Sequence, residues 1–434
     1  SRPPGRSPHS PQINLIIVHR PEKQSTNVFY PKSRGRHLVF LVFYTALAAA
    51  ASGYAALRLL AHSRAGAGGK VISGFLFFAL FELTPASIFL RAAGIENLWT
   101  DLLAWAGYVA AGFLSFVLTF LVIRDVGWSI PRALGRLAGR LRKHPAPLSF
   151  SALPKNLERR RFLAQSVNVG ITAAAATVTG FGIAEARQIP EIKKVSIRLA
   201  GLPKTLDGFR IAQITDIHVS PTIKQPFVEG VVRQVNTLGA DIVALTGDLV
   251  DGSVQRLSGD VEPLADIRAR YGRYFVTGNH EYYSGVERWV EKVASLGFTV
   301  LLNEHRLLTH AGGRILLAGV TDYRAGARLP GHRSDPKKAL AGAPPADVKI
   351  LLAHQPKSVV AAADAGFDLQ ISGHTHGGQF FPWNFVVGLA QPYTAGLHRY
   401  GDMPIYISRG TGYWGPPLRV GSPSETTLIT LRAA

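Results

Sequence analysis

Residues 368–379 read Asp368-Leu-Gln-Ile-Ser-Gly-His-Thr-His-Gly-Gly-Gln379, an apolar strand pattern that ends in two histidines set among glycines. Four earlier runs also end at Asp, Asn or His residues. The run 209–215 leads into Asp216-Ile-His218, and 242–246 leads into Gly247-Asp248-Leu-Val-Asp251. The run 274–277 meets Gly278-Asn279-His280-Glu281, and 350–353 meets His354. In sheets of parallel strands, sites gather beyond the carboxyl ends, so five strand ends would deliver Asp, Asn and His to one edge. The one-residue spacing in Asp216/His218 and His374/His376 predicts two donors leaving an extended segment on one side, with the residue between them turned away. Glycines 247, 278, 373, 377 and 378 predict sharp turns and close backbone approach around a small cation. From about Lys194 onward, short β-branched runs alternate with helical stretches and Gly, Asp and Pro clusters, the texture of an α/β domain.

Taken in this order, D-x-H, G-D-x-x-D, G-N-H-[DE], a lone H and G-H-x-H, the motifs resemble the calcineurin-like metallophosphoesterase superfamily over about residues 194 to 434. The G-H-T-H-G-G-Q form, the later Ser408-Arg409-Gly410-Thr-Gly412 and the apolar N-terminal half look like its bacterial integral-membrane branch, which includes enzymes cleaving the pyrophosphate of nucleotide-linked acylated sugars. The resemblance implies a four-layer α/β/β/α sandwich preceded by an α-helical transmembrane region. It also implies a dinuclear centre in which Asp216, His218 and His376 hold one metal and Asn279, His354 and His374 hold the other. Asp248 would bridge them, since a carboxylate has lone pairs on both oxygens. Two such cations share a hydroxide aimed at phosphorus. His280, beside a ligand position without filling one, is the expected catalytic residue, protonating the leaving oxygen or steadying the transition state.

Other residues are less decided by their context. Asp251 reads equally as a residue orienting a His ligand and as a cap of the following helix. Asp322 and Arg409 read as members of structural ion pairs, with contact to a substrate phosphate as the alternative. His305, His310, His332 and His398 lack the strand-end and glycine setting and are expected outside the site. The aromatic stretches 380–385 and 413–414 read as packing of a covering loop, the alternative being a grip on a lipid tail.

The chain has 434 residues, 47% of them hydrophobic, and a net charge of +20. Cysteine is absent, which excludes disulfides and thiolate metal sites and leaves carboxylate, amide and imidazole ligands. Such mixed ligands accept two divalent or trivalent ions of manganese, iron or zinc, with manganese alone or paired with iron the expectation. Much of the positive charge flanks apolar runs: residues 1–36 hold seven Lys or Arg against Glu22, and 124–161 hold ten against Asp125 and Glu158. That placement indicates membrane topology and anionic lipid, so nucleic acid is not an expected partner.

The runs 38–57, 71–90 and 102–123 each have the length a helix needs to cross hydrocarbon. Glu82 is the one acid within them. The expected layout is a basic tail (1–36), three transmembrane helices (37–123), a basic cytoplasmic linker (124–161), a fourth helix (162–186) and the catalytic domain (187–434). Within the linker, Ser129-Ile-Pro131 reads as a cap and first turn starting a separate basic amphipathic helix. The fourth helix follows Arg159-Arg160-Arg161 and reads either as a transmembrane helix or as an internal twin-arginine signal with small residues at Ala184–Ala186. Both readings place the catalytic domain on the extracytoplasmic face of a bacterial cytoplasmic (inner) membrane in a multi-pass protein. The function expected is metal-dependent hydrolysis of phosphoester or pyrophosphate bonds in a phosphorylated small-molecule or lipid substrate. The alternatives are a broad-specificity phosphomonoesterase and a non-catalytic phosphate-binding sensor.

Overall fold

The structure, a computed structural model, describes residues 34–61, 63, 66–141 and 157–434. Most of the expected basic tail, part of the loop after residue 61 and linker residues 142–156 lie outside them. The chain divides into Ser1–Ala46 and Leu47–Ala434, and every contact described below lies within the second.

Four helices come first: α1 (Arg34–Leu60), α2 (Ala67–Ala92), α3 (Leu98–Leu141) and α4 (Leu157–Ala186). Each is long and apolar enough to cross a membrane. Their outward faces carry Leu57, Val71, Phe75, Phe89, Val169 and Phe181, all 60% or more exposed, which suits lipid and not water. Glu82 is half-buried on α2.

The helix start expected at Ser129 is not there, because α3 runs on through Pro131. Ser129 bonds back to the Val126 carbonyl instead of capping a new helix. A serine hydroxyl can serve either role, and the helix already formed upstream offers its carbonyl first. At the same end of the bundle, Arg58 and Arg124 pair with Asp125, and the Asn168 amide donates to the carbonyls of Arg58 and Leu59 at 3.1 and 2.9 Å.

The C-terminal half contains twelve strands. The first six are β1 (Glu191–Leu199), β2 (Arg210–Ile214), β3 (Ile242–Leu245), β4 (Arg273–Phe275), β5 (Thr299–Val300) and β6 (Glu304–His310). The rest are β7 (Gly313–Gly319), β8 (Val348–Leu352), β9 (Leu369–Ser372), β10 (Gly396–Tyr400), β11 (Met403–Ile407) and β12 (Glu425–Ala433). Between them lie helices α5 (Gln225–Thr237), α6 (Val254–Val261), α7 (Asn279–Ser284), α8 (Val286–Ser295), α9 (Pro336–Ala339), α10 (Val359–Ala365) and α11 (Trp383–Ala390).

The strands form two six-stranded sheets, ordered β1-β12-β2-β3-β4-β5 and β10-β11-β9-β8-β7-β6. Period-two alternation explains their stacking. On β3, Ile242 and Ala244 face the second sheet, where they meet Ile350, Leu352 and Ile371, while Val243 and Leu245 face α5, α6 and α8. The outer face of the second sheet is covered by α9 and α10 through Ala339, Val359 and Ala362. The result is the four-layer α/β/β/α sandwich. Strands β2, β3 and β4 are parallel in one sheet, as are β8 and β9 in the other, so their carboxyl ends open at one edge.

Candidate metal centre

That edge gathers the residues singled out in the sequence. Asp216, His218 and His376 bring three ligand atoms within 4.8 Å of one another, and Asp248, His354 and His374 do the same. Asp248 stands between the two groups, its Oδ2 lying 3.0 Å from His354 Nε2 and 3.9 Å from His218 Nε2. Asn279 opens α7, directly after the β4 turn. Six of the expected ligands are thus grouped, and Asn279 adjoins them through the chain, its neighbour His280 donating its amide to Asp248 Oδ1 at 2.8 Å.

The backbone carries them in a way the spacing did not foretell. Asp216, His218, Asp248, His374 and His376 all have positive φ, between 51° and 74°. In both pairs two positive-φ residues therefore flank one of ordinary φ, Ile217 or Thr375, so neither pair is a plain extended segment. Side chains rarely adopt this region, at a cost on the order of 1–3 kcal/mol each, and such strain concentrates where function requires it. Two glycines act through close approach: a Cβ on Gly278 would strike the Asp248 carboxylate, and one on Gly373 would strike the Asp216 carboxylate.

Surrounding groups fix the imidazoles. His354 Nδ1 lies 2.8 Å from the Thr246 carbonyl, which can only accept, so a proton sits on Nδ1 and Nε2 is the nitrogen turned to the centre. Asp251 reaches two rings at once, accepting from His218 Nδ1 at 3.1 Å and from His280 Nδ1. Its role is to orient the rings, since the helix that follows starts from Ser253. The Asp216 carboxylate accepts from Thr215 Oγ1 at 2.7 Å and from the His374 amide at 2.9 Å.

The donor set fits metal ions. Asn279 Oδ1 is buried with no hydrogen-bond partner among the described residues, an orphaned carbonyl oxygen of the kind a cation satisfies. His218 Nε2 faces His376 Nε2 at 3.1 Å, and His354 Nε2 faces His374 Nδ1 at 3.2 Å. The buried carboxylates also demand positive charge. Burial alone would pull the His354 imidazole down, but Asp248 outweighs it and pushes it up to about 10. His374 moves oppositely, to about 3, through burial and the neighbouring His354, and His376 falls through burial, His218 and Arg419. His280 is lowered by burial, but Asp251 and then Asp248 raise it to about 9. Its Nε2 stands 3.9 Å from Asp248 Oδ2. Asp251 is opposed by burial, yet His280 and His218 hold it well below the carboxylate range.

Three contributors were not picked out from the sequence. Glu281 is fully buried, and its carboxylate accepts from the amides of Asp248, Leu249 and Gly278 at 2.7–3.1 Å, which fixes the Asp248 turn. Its position in the G-N-H-E motif was the available signal. Arg419 is also fully buried, donating to the Gly412, His376 and Ser422 carbonyls and lying 3.2 Å from His376 Nδ1. It is the sole charged residue from Gly410 to Ser424, which was its only mark. The third is the loop between α2 and α3. Arg91 donates to the Asp251 carbonyl, Glu96 accepts from the Ser253 amide and hydroxyl, and Asp101 pairs with Arg256 at 2.6 Å.

The remaining candidates are not among the grouped ligand atoms. Asp322 is buried in a loop, accepting from Gln355 Nε2 at 2.7 Å and the Arg324 amide at 2.8 Å, so the expected ion pair is replaced by neutral hydrogen bonds. Arg409 pairs with Glu425 at 3.6 Å. His305, His310, His332 and His398 bond to Ala339, Tyr271, Tyr282 and Ala395. Among the aromatics, Phe380 and Tyr413 are buried, whereas Trp383, Phe385 and Trp414 are 46–67% exposed. The Trp414 ring lies 5.6 Å from that of His280.

Comparison with known proteins agrees with this geometry. Residues 209–378 match the family described as calcineurin-like phosphoesterase. A zebrafish (Danio rerio) transmembrane protein with metallophosphoesterase domain is 38% identical over 300 residues, covering 66% of this chain and 69% of the relative. The bovine (Bos taurus) protein of the same description is 36% identical over 344 residues, covering 77% and 74%. An uncharacterised metallophosphoesterase of Helicobacter pylori is 38% identical over 275 residues, covering 63% and 72%.

Proposed function

The chain belongs to the calcineurin-like metallophosphoesterase family, and from that premise we propose a dinuclear phosphodiesterase or pyrophosphatase acting on a lipid-linked or envelope substrate at a bacterial inner membrane. The observation that carries it is Asp248, buried in one group of ligand atoms and 3.9 Å from His218 of the other, where four strand ends meet. Asp216, His218 and His376 would hold one ion, Asn279, His354 and His374 the other, and Asp248 both. Ions held there lower the pKa of a water and neutralise charge on the phosphoryl oxygens.

The chain's own residues do the rest. Thr246, Asp251 and Thr215 hold the ligand rings and the Asp216 carboxylate in register, so no reorganisation is needed as charge develops. His280, tied to Asp251 through Nδ1, turns Nε2 toward the centre and carries the proton that the leaving oxygen takes up. The carboxylates beside it favour that charged form at neutral pH. The loop between α2 and α3 touches the segment after Asp251, which supports one side of the membrane for both. With Arg159–Arg161 at the far end of α4, that side is the extracytoplasmic one.

The test uses the full-length protein in detergent, loaded in turn with manganese, iron and zinc. Two ions bound per chain are expected, with an aryl phosphodiester turned over faster than its monoester and Asp248→Asn slower by 100-fold or more. A preferred monoester would make the protein a phosphomonoesterase. Two ions without turnover would make it a sensor. No stoichiometric uptake, or an Asp248→Asn variant as fast as its parent, removes the dinuclear reading.

A further inference from the structure

From Gly377 to Leu397 the chain carries no charged residue, 21 positions directly after the last candidate ligand. This stretch contains α11, no residue of which is buried. Leu389 is 89% exposed and Phe385 is 67% exposed. An eight-residue helix that shows its apolar side chains to water would be unfavourable in a soluble domain.

Its surroundings say what covers it. Phe380, three residues before α11, packs its ring 5.5 Å from that of Phe116 on α3. Leu418 occupies the place where a Cβ on Gly112 of α3 would stand, and Val420 with Leu418 crowds the place of one on Gly182 of α4. The loops holding Phe380 and Leu418 are fastened together, since the Gln379 amide donates to the carbonyls of Trp414 and Pro416 at 3.0 and 2.9 Å. Along α3, Asp101 and Arg124 bracket 22 uncharged residues. At ~1.5 Å per residue these span ~33 Å, close to the ~30 Å hydrocarbon thickness of a bilayer. By the same rise, Gly112 lies ~16 Å and Phe116 ~22 Å from Asp101, both inside that span.

We propose that α11 and the loops around it are immersed in the bilayer beside the transmembrane helices, so that the mouth of the metal centre opens toward lipid and receives a phosphate ester carried on an amphiphile. Placement of α11 stands on packing alone. The substrate half deepens the proposed phosphohydrolase activity and rests on it. Trp414 connects the two, because it contacts Gln379 through the backbone and the His280 ring through its indole.

The chain has no cysteine, so one introduced thiol takes a label uniquely. Leu389→Cys, Phe385→Cys and the control Asp364→Cys are labelled with an environment-sensitive fluorophore in the full-length protein. Each is then reconstituted into vesicles of phosphatidylethanolamine and phosphatidylglycerol carrying a nitroxide on the acyl chain. The expected result is quenching of the 385 and 389 labels by the acyl nitroxide, at least fivefold above the control, and protection from aqueous iodide. Iodide access equal to the control overturns the placement. Protection from both quenchers also overturns it, in favour of a protein contact such as a second copy. In parallel, kcat/KM on 4-nitrophenyl alkyl phosphodiesters is measured as the alkyl group lengthens from methyl to dodecyl. A rise of tenfold or more supports the amphiphile, and a flat series overturns it. Turnover of none of them overturns the substrate half and the hydrolase reading together, while the labels still decide where α11 lies.

Discussion

Asp251 divides its two carboxylate oxygens between His218 and His280, which makes it a positioning residue whose effect passes through two different rings. Replacing His280 by Ala removes the proton donor without touching a ligand, so kcat should fall by about 10²- to 10⁴-fold while bound metal stays constant. Asp251→Asn should also lower kcat, and the double variant should lose less than the two single losses combined, because the part of the Asp251 effect that passes through His280 is already gone while the part through His218 remains. Turnover of an aryl diester with metal content measured on the same samples checks this, and an additive pair of effects would separate the two residues. Arg419 poses a structural question instead. Arg419→Met leaves the carbonyls of Gly412 and Ser422 buried without a donor, while the His376 carbonyl keeps the Ser422 hydroxyl and the Gln379 amide, and each unpaired acceptor costs about 1–3 kcal/mol. The unfolding transition of the detergent-solubilised protein should therefore drop by several degrees. Arg419→Lys should recover only part of the loss, since a lysine cannot serve three carbonyls with a planar fork.

At the level of elements, the short loop between α2 and α3 reaches the catalytic loop through Arg91 and Glu96, while the Trp289 indole donates to the Gly252 carbonyl at 2.9 Å from the other side. The loop 251–253 is thus clamped between a membrane hairpin and α8. Full-length Arg91→Met and Glu96→Gln should lower kcat about 10-fold through small misplacement of Asp251, with KM and metal content close to the parent. Asp101→Asn, one step further away at Arg256, should change kcat about twofold or less. Equal losses from all three would point to general destabilisation. None of this was legible in the sequence, because a contact between Glu96 and Ser253 leaves no local pattern. Strand ends were legible for the opposite reason: β2, β3, β4, β8 and β9 each announce themselves by a local apolar run ending at Asp, Asn or His, with a glycine turn after β3, β4 and β9. The sign of φ at Asp216 or His374 was not, since one-residue spacing fits an extended pair and a left-handed pair alike. The false start at Ser129 came from a capping signal that a running helix overrode.

At the scale of the molecule, the helical residues from Leu47 onward and the α/β sandwich belong to one compact unit and not to an anchor with a tethered domain. Ala186 is buried in the last turn of α4, Arg187 stacks on Trp105 at 5.4 Å, and the Arg419 amide donates to the Gly182 carbonyl at 3.0 Å. A peptidase acting after Ala186 would have to open that turn first, and the fragment 187–434 would then expose Leu418 and Phe380 together with α11. Apolar patches of this kind drive association. The fragment, expressed alone, should aggregate in detergent-free buffer and float with lipid vesicles in a density gradient, whereas Leu418→Ser with Phe385→Ser and Leu389→Ser should shift it toward the soluble fractions. Light scattering and flotation measure both outcomes. A monodisperse, non-floating 187–434 fragment would mean that the sandwich needs no apolar cover, and the helices would then serve attachment alone.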